Sequence, residues 1–293
     1  MNVSQTDLLP LLDKWLQAEP AVCSAVLFGS RARAANTAAP PDGWSDIDLH
    51  VVANSVDKIL RTDWQQIIPE CKFCLQVVRP ATGGVSKLTV LFAEGEADIV
   101  LVPISRMRLA SFAMGLGLHR RVRIISAALN AFANPIRYGY RFLKGESIWG
   151  PLYARVVAEM EGYRLSNIDV AQLADGFLCD QLYLLQKLGR GELIASQRIL
   201  HRALNETNIV LLHELRVRRG ELSIQQARRV EQLATPNQLT TVRVSARLDC
   251  DEIAAAAWRA REGLEILMRE LVPEWSASMA MGELLARYAV RRG

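Results

Sequence analysis

The feature that most constrains this chain is the stretch 26–52, in which an apolar segment ends at a glycine–serine pair and a second apolar segment opens on two aspartates. The pair is Gly29-Ser30, and the aspartates are Asp46 and Asp48, with one isoleucine between them. Side chains two apart on a strand point to the same face, about 6 to 7 Å from each other. The spacing predicts two carboxylates held close together, which suits a shared pair of divalent metal ions.

Strand and helix patterns divide the chain into two halves. In the first half, strands are predicted at 21–28, 46–52, 73–78, 87–92 and 97–102, with helices at 5–18 and 57–68 and part-helical structure over 106–132. Beyond residue 150, helices are predicted at 152–163, 168–188, 192–217, 224–233, 251–271 and 277–290. The interval 134–150 contains Gly, Tyr and Pro and is interpreted as a linker.

The predicted fold class is therefore α+β. An N-terminal domain, residues 1–135, is expected to hold a small mixed sheet flanked by helices. A C-terminal domain, residues 150–293, is expected to be a helical bundle.

A third acidic side chain lies inside a later strand. The turn A-E-G-E joins the last two predicted strands, and Gly95 supplies its permissive backbone. Simple alternation then places Glu94, Glu96 and Asp98 on one face. Carboxylates that lie this close repel one another unless cations sit between them, and Mg²⁺ prefers oxygen ligands of this kind.

This order of features resembles the nucleotidyltransferase superfamily whose best-known member is DNA polymerase beta. Within it, G-S-R, S-D-I-D-L and A-D-I-V-L-V-P are similar to bacterial aminoglycoside adenylyltransferases that act at the 6-position. L-G-R-G-E-L at 188–193 and S-A-R-L-D at 245–249 are similar to a lincosamide-modifying branch. No P-loop motif occurs in the chain.

The resemblance implies a transfer of AMP, or another nucleoside monophosphate, from ATP or another nucleoside triphosphate to a hydroxyl. It implies two Mg²⁺ ions on the catalytic residues Asp46, Asp48 and Asp98. Asp98 acts either as general base or only as a metal ligand, and Glu96 is the reserve candidate. Gly29, Ser30 and Arg31 are expected to bind the nucleotide through its phosphates.

The acceptor stays open at this point. A small-molecule antibiotic is the leading expectation: an aminoglycoside would need several carboxylates around it, and a lincosamide would need an apolar cleft. Four acidic residues of the second half either form such a wall or are simply solvated: Asp175, Asp180, Glu206 and Glu214. A protein or RNA acceptor and a non-catalytic nucleotide-binding regulator are the alternatives.

Charge and composition limit the partners. The net charge of +4 is too small to indicate nucleic acid by itself. The N-terminus lacks a signal-peptide pattern and no uncharged apolar run approaches 18 residues, so we expect a cytoplasmic protein without a membrane partner, either monomer or homodimer.

Several conspicuous residues are expected to be structural. They are His50 as a packing residue at a strand end, the basic cluster 119–123 on a solvated helix face rather than at a triphosphate, the Tyr138, Tyr140 and Trp149 group at the domain junction rather than in an acceptor pocket, and Arg247 with Asp249 as an internal ion pair rather than as site residues.

Overall fold

A mixed sheet of six strands organises the first half of this computed structural model, which describes residues 7–33, 42, 45–81, 83–160, 164–224 and 226–290. The strands are β1 (Val22–Phe28), β2 (Ile47–Ala53), β3 (Phe73–Ala81), β4 (Val85–Phe92), β5 (Gly95–Pro103) and β6 (Tyr140–Lys144). Their order is β3-β4-β5-β2-β1-β6. Strands β2 and β5 are parallel, and the other neighbouring pairs are antiparallel.

Six helices accompany the sheet in the described residues: α1 (Leu8–Ala18), α2 (Val56–Leu60), α3 (Trp64–Ile67), α4 (Ile104–Gly115), α5 (Arg123–Ile136) and α6 (Glu146–Glu159). Asp7 is the N-cap of helix α1: its carboxylate accepts a hydrogen bond from the Leu9 amide and so satisfies one free donor of the first turn.

Strand β2 is central because both of its faces are buried. Every residue of Ile47–Ala53 is buried, and all but Asp48 and His50 are apolar. One face joins the core that contains Leu27, Leu49 and Ile99. The opposite face joins a second core with Val52 and Tyr153. Asp48 and His50 alternate with the first set and therefore lie on the second face.

The strand predictions of the first half are confirmed, since all five predicted strands occur and β3, β4 and β5 are only somewhat longer than predicted. The predicted helix 57–68 is broken into α2 and α3, because Asp63 caps the second of them by accepting from the Gln66 amide. The α+β class is confirmed.

The interpretation of 134–150 as a linker is wrong. This interval contains β6 and the beginning of α6, and β6 extends the sheet by pairing with β1. Gly145 joins the two with φ +78°, and a Cβ there would lie 2.6 Å from the Cys23 carbonyl oxygen. Gly145, which was interpreted as part of a linker, is thus required because its backbone lies close to β1.

Contacts group the chain into two units, Met1–Tyr163 and Arg164–Gly293, so the division falls later than the predicted linker. The second unit holds α7 (Asn167–Gly189), α8 (Leu193–Ile199), a π-helical segment (Leu200–Asn205), α9 (Glu206–Arg218), α10 (Val230–Leu233), α11 (Pro236–Thr240), α12 (Cys250–Leu271) and α13 (Met279–Val290). As functional domains, 1–135 and 150–293 stay a prediction.

The second unit is helical as predicted, with one exception. The predicted helix 224–233 is interrupted: Ala227 and Arg229 have φ values of +55° and +58°, which a right-handed helix does not admit, and among the described residues of this interval only α10 is helical. None of the described helices is both long and apolar enough to cross a bilayer.

Truncating a central apolar side chain should test the position of the core. Leu49 is fully buried in β2, whereas Leu75 on β3 is 51% exposed. We expect Leu49→Ala to lower the free energy of unfolding by about 2 to 5 kcal/mol, because it removes buried methyl groups and leaves a cavity. Leu75→Ala should change it by less than about 0.5 kcal/mol. Chemical denaturation followed by circular dichroism measures both, and equal effects would contradict the assignment.

Candidate active site

Three carboxylates converge where β2 and β5 lie side by side. Asp46 immediately precedes β2, Asp48 is its second residue, and the parallel register places Asp48 directly beside Asp98 on β5. One ligand oxygen of each residue lies within 4.8 Å of the others. Asp48 and Asp98 are buried and Asp46 is half-buried. An all-oxygen set of this kind fits a hard divalent cation such as Mg²⁺.

Gly29 lies against one of these carboxylates. It follows β1, whose last residue Phe28 is the register partner of Asp48. Its φ is +73°, and a Cβ at this position would lie 2.1 Å from the Asp48 Oδ2 atom. Glycine is therefore required twice, by the backbone conformation and by the approach to the carboxylate. The glycine–serine turn and the aspartate pair belong to one structure.

Ser30 follows at the start of a short 3₁₀ turn, Ser30–Ala32. Its side chain is buried, and its hydroxyl has no hydrogen-bond partner among the residues that the structure describes. A buried hydroxyl without a partner is costly, so it is a candidate contact for a ligand. Its predicted role toward phosphate stays a prediction.

Arg31 is engaged within the protein. Its Nε donates to the Ser45 carbonyl oxygen at 2.9 Å, and its guanidinium lies 4.0 Å from the Asp7 carboxylate. Because Ser45 directly precedes Asp46, Arg31 fixes the backbone that presents the first carboxylate. This contact stabilises the position of the residue before Asp46. The predicted contact of Arg31 with the nucleotide stays a prediction.

Two side chains of β4 that the sequence analysis missed hold Asp98. The Thr89 hydroxyl donates to Asp98 Oδ1 at 2.5 Å, and the Lys87 ammonium forms an ion pair with Asp98 Oδ2. The β4–β5 register pairs Thr89 with Asp98 directly. A tight turn that pairs Phe92 with Gly95 implies this register. The hairpin pattern in the sequence was therefore enough to predict that Thr89 lies beside Asp98.

Glu96, the reserve candidate, lies at the edge of the acidic group. Burial raises the pKa of Glu96, and the charges of Asp98 and Asp46 raise it further, against the opposing effect of Lys87 and Arg79. The ligand oxygens that converge do not include that of Glu96. The charges of the cluster therefore act on Glu96, but Glu96 is not one of its converging ligands.

His50 is a packing residue, as expected, but it lies in the middle of β2 and not at a strand end. Its ring lies 4.5 Å from that of Phe28 and 5.5 Å from that of Phe132, measured between centroids. Burial lowers the pKa of His50 to about 4, so the imidazole is neutral at pH 7. It adds no charge beside Asp48.

The remaining structural expectations have mixed outcomes. His119 and Arg120 of the basic cluster pair with Glu159 at 3.0 and 3.1 Å, so this part of the cluster is not simply solvated. Trp149 is buried within the core of the first unit. The expected ion pair between Arg247 and Asp249 is wrong: Arg247 pairs with Glu252, and Asp249 caps α12 by accepting from the amides of residues 251 and 252.

Two of the four acidic residues considered for an acceptor wall are used internally. Glu214 is buried, accepts from the Leu165 amide at 3.1 Å and pairs with Arg218 at 2.8 Å. Asp175 accepts from the Trp275 indole at 3.1 Å. Burial raises the pKa of Asp180. Glu206 is exposed.

Comparison with known proteins finds similarity at the level of structure. No family model and no curated protein matches the chain. It is similar to an aminoglycoside 6-adenyltransferase from Bacillus subtilis, at 12% identity and TM-score 0.40 over 99% of this chain and 98% of that one. It is also similar to a nucleotidyltransferase-like protein from Exiguobacterium sibiricum 255-15, at 12% identity and TM-score 0.32 over 99% and 80%. At these TM-scores the site geometry, rather than the likeness, carries the functional argument.

The contact between Gly29 and Asp48 gives a prediction for metal binding. Gly29→Ala should weaken Mn²⁺ binding about tenfold or more, because the added Cβ displaces the Asp48 carboxylate. Gly83→Ala is the matched control: Gly83 also has a positive φ, +80°, but a Cβ there meets nothing within 4 Å. Its Mn²⁺ affinity should equal that of the wild type in an electron paramagnetic resonance titration. Equal affinities for all three proteins would contradict the account.

Proposed function

We propose that this chain is a Mg²⁺-dependent nucleotidyltransferase that moves AMP, or another nucleoside monophosphate, from a nucleoside triphosphate to a hydroxyl of a small molecule. The observation that carries the proposal is the convergence of Asp46, Asp48 and Asp98, with ligand oxygens within 4.8 Å, beside a turn in which Gly29 lies against Asp48. Three buried or half-buried carboxylates at this distance repel one another, and divalent cations relieve the repulsion.

The proposed reaction is an in-line displacement at the α-phosphorus. The acceptor oxygen forms a new bond to that atom, the bond to the bridging oxygen breaks, and pyrophosphate leaves. A bound pair of divalent ions would stabilise the attacking and leaving oxygens. Asp46 and Asp48 would hold the ions, and Asp98, the third member of the set, would either hold them as well or act as the general base that takes the proton of the acceptor hydroxyl.

Gly29, Ser30 and Arg31 form the proposed phosphate side of the site. Gly29 supports the proposal because it keeps the backbone free of a side chain next to Asp48. The buried Ser30 hydroxyl is available to a phosphate oxygen. In this proposal Arg31 acts chiefly by holding the loop before Asp46, through its bond to the Ser45 carbonyl oxygen.

The acceptor is proposed to be an aminoglycoside or a lincosamide-type antibiotic. The catalytic role belongs to residues 1–135 and the acceptor role to residues 150–293 in this proposal. Because Glu214 and Asp175 already have internal partners, an acidic wall for an aminoglycoside would rest on Asp180 and Glu206. Both antibiotic classes therefore belong in the test.

Release of pyrophosphate tests the reaction. With ATP, Mg²⁺ and a panel of aminoglycosides and lincosamides, we expect turnover with at least one acceptor. Asp48→Asn should reduce it by about a hundredfold or more, because it removes a ligand charge on which several kcal/mol of transition-state stabilisation depends. A folded protein that neither turns over any acceptor nor binds ATP in a metal-dependent way would contradict the proposal.

A labelling experiment separates the alternative acceptors. Labelled ATP with a cell lysate, followed by separation of macromolecules from small products, should give label in the small-molecule fraction. Label on protein or RNA would move the acceptor to the alternative class. A protein whose biological effect survives Asp48→Asn would be a regulator and not an enzyme.

Asp98→Asn distinguishes the two roles left open for Asp98. If Asp98 is a metal ligand, the variant should lose Mn²⁺ affinity about tenfold or more together with turnover. If Asp98 is only a general base, Mn²⁺ affinity should stay at the wild-type value while turnover falls. Isothermal titration with Mn²⁺ alone, beside the pyrophosphate assay, gives both quantities.

A further inference from the structure

The carboxylate of Asp98 has a donor on each of its two oxygens. Thr89 donates to Oδ1 at 2.5 Å, and the Lys87 ammonium pairs with Oδ2. Asp98 is buried, so these partners are part of a built site and not an exposed surface contact. A metal ion that ligates Asp98 must therefore share an oxygen that already accepts from β4, or displace a donor.

Lys87 is the protein's own cation at the acidic group. Its ammonium faces Asp98, and its charge also acts on Glu96. Its register partner across β3 and β4 is Arg79, and two like charges directly opposite each other disfavour that placement. The acidic group supplies the attraction that offsets this repulsion.

Lys87 also has a path away from the site. Its side chain is 34% exposed, whereas that of Asp98 is 9% exposed. The ammonium can move into solvent while the carboxylate stays in place. Thr89 differs in this respect, because it is buried beside Asp98 and carries no charge.

We propose that Lys87 is a built-in counter-ion that competes with divalent metal for Asp98 and thereby sets the metal affinity of the site. In the absence of metal, its ammonium neutralises part of the repulsion among Asp46, Asp48 and Asp98. A divalent ion at Asp98 brings a second positive charge next to the ammonium, so one cation is held at the expense of the other. Lys87 is a positioning residue, and this inference rests on the proposed metal site.

The test is the Mn²⁺ affinity of the full chain without nucleotide, measured in a titration that is monitored by electron paramagnetic resonance. Lys87→Met should bind Mn²⁺ about three- to tenfold more tightly than the wild type, because the competing charge is gone. Lys87→Arg, which keeps the charge, should stay within about twofold of the wild type.

Two further variants separate the effect of the Lys87 charge from the loss of a hydrogen-bond donor to Asp98 and from the loss of a lysine elsewhere. Thr89→Val removes the other donor to Asp98 without changing the charge, so it should not tighten Mn²⁺ binding. Lys58→Met removes a lysine that pairs with Glu19 at 2.6 Å, away from the acidic group, and should leave the affinity unchanged. Circular dichroism checks that each variant is folded.

The outcomes are distinct for the inference and for the proposed function. Tighter binding by Lys87→Met alone supports the inference. Equal or weaker binding by Lys87→Met, or equal tightening by Thr89→Val, overturns it while the metal site stands, provided that Asp48→Asn still weakens binding. Absence of Mn²⁺ binding by the wild type and by Lys87→Met overturns both.

Discussion

The parallel pairing of β2 with β5 is the interaction on which the site depends. The pairing places Asp48 directly beside Asp98. It brings together two residues that lie fifty positions apart in the chain, in a part of the sheet where both strands are largely buried. Buried carboxylates at this distance require compensation, and the protein supplies part of it through the contacts of Lys87 and Thr89 with Asp98.

Gly29 couples this pairing to the turn after β1. Any side chain there would meet the Asp48 carboxylate, so the conformation of the turn and the position of the ligand are one structural unit. Arg31 extends the unit by binding the carbonyl oxygen of Ser45, just before Asp46. The end of β1, the turn after it and the residue before Asp46 therefore present the acidic group together.

Much of this was predictable from the sequence, because local patterns carried it. Strand alternation predicted that Asp46 and Asp48 share one face. The hairpin pattern around Gly95 placed Asp98 inside a later strand. Lys87 and Thr89 were missed, although counting the register outward from the turn would have paired Thr89 with Asp98. The strand β6 was missed for a different reason: its pairing partner β1 lies more than a hundred residues earlier, and glycine-rich flanks made it look like a linker. The interruption of the predicted helix 224–233 depends on left-handed backbone conformations at Ala227 and Arg229, which composition does not encode.

The most direct test of the central claim is a crystal structure with Mn²⁺ and a non-hydrolysable ATP analogue, with metal positions taken from anomalous scattering. The account predicts anomalous density ligated by Asp46, Asp48 and Asp98, with the phosphates near Gly29 and Ser30. Metal and nucleotide bound elsewhere, with these three carboxylates free of both, would contradict it.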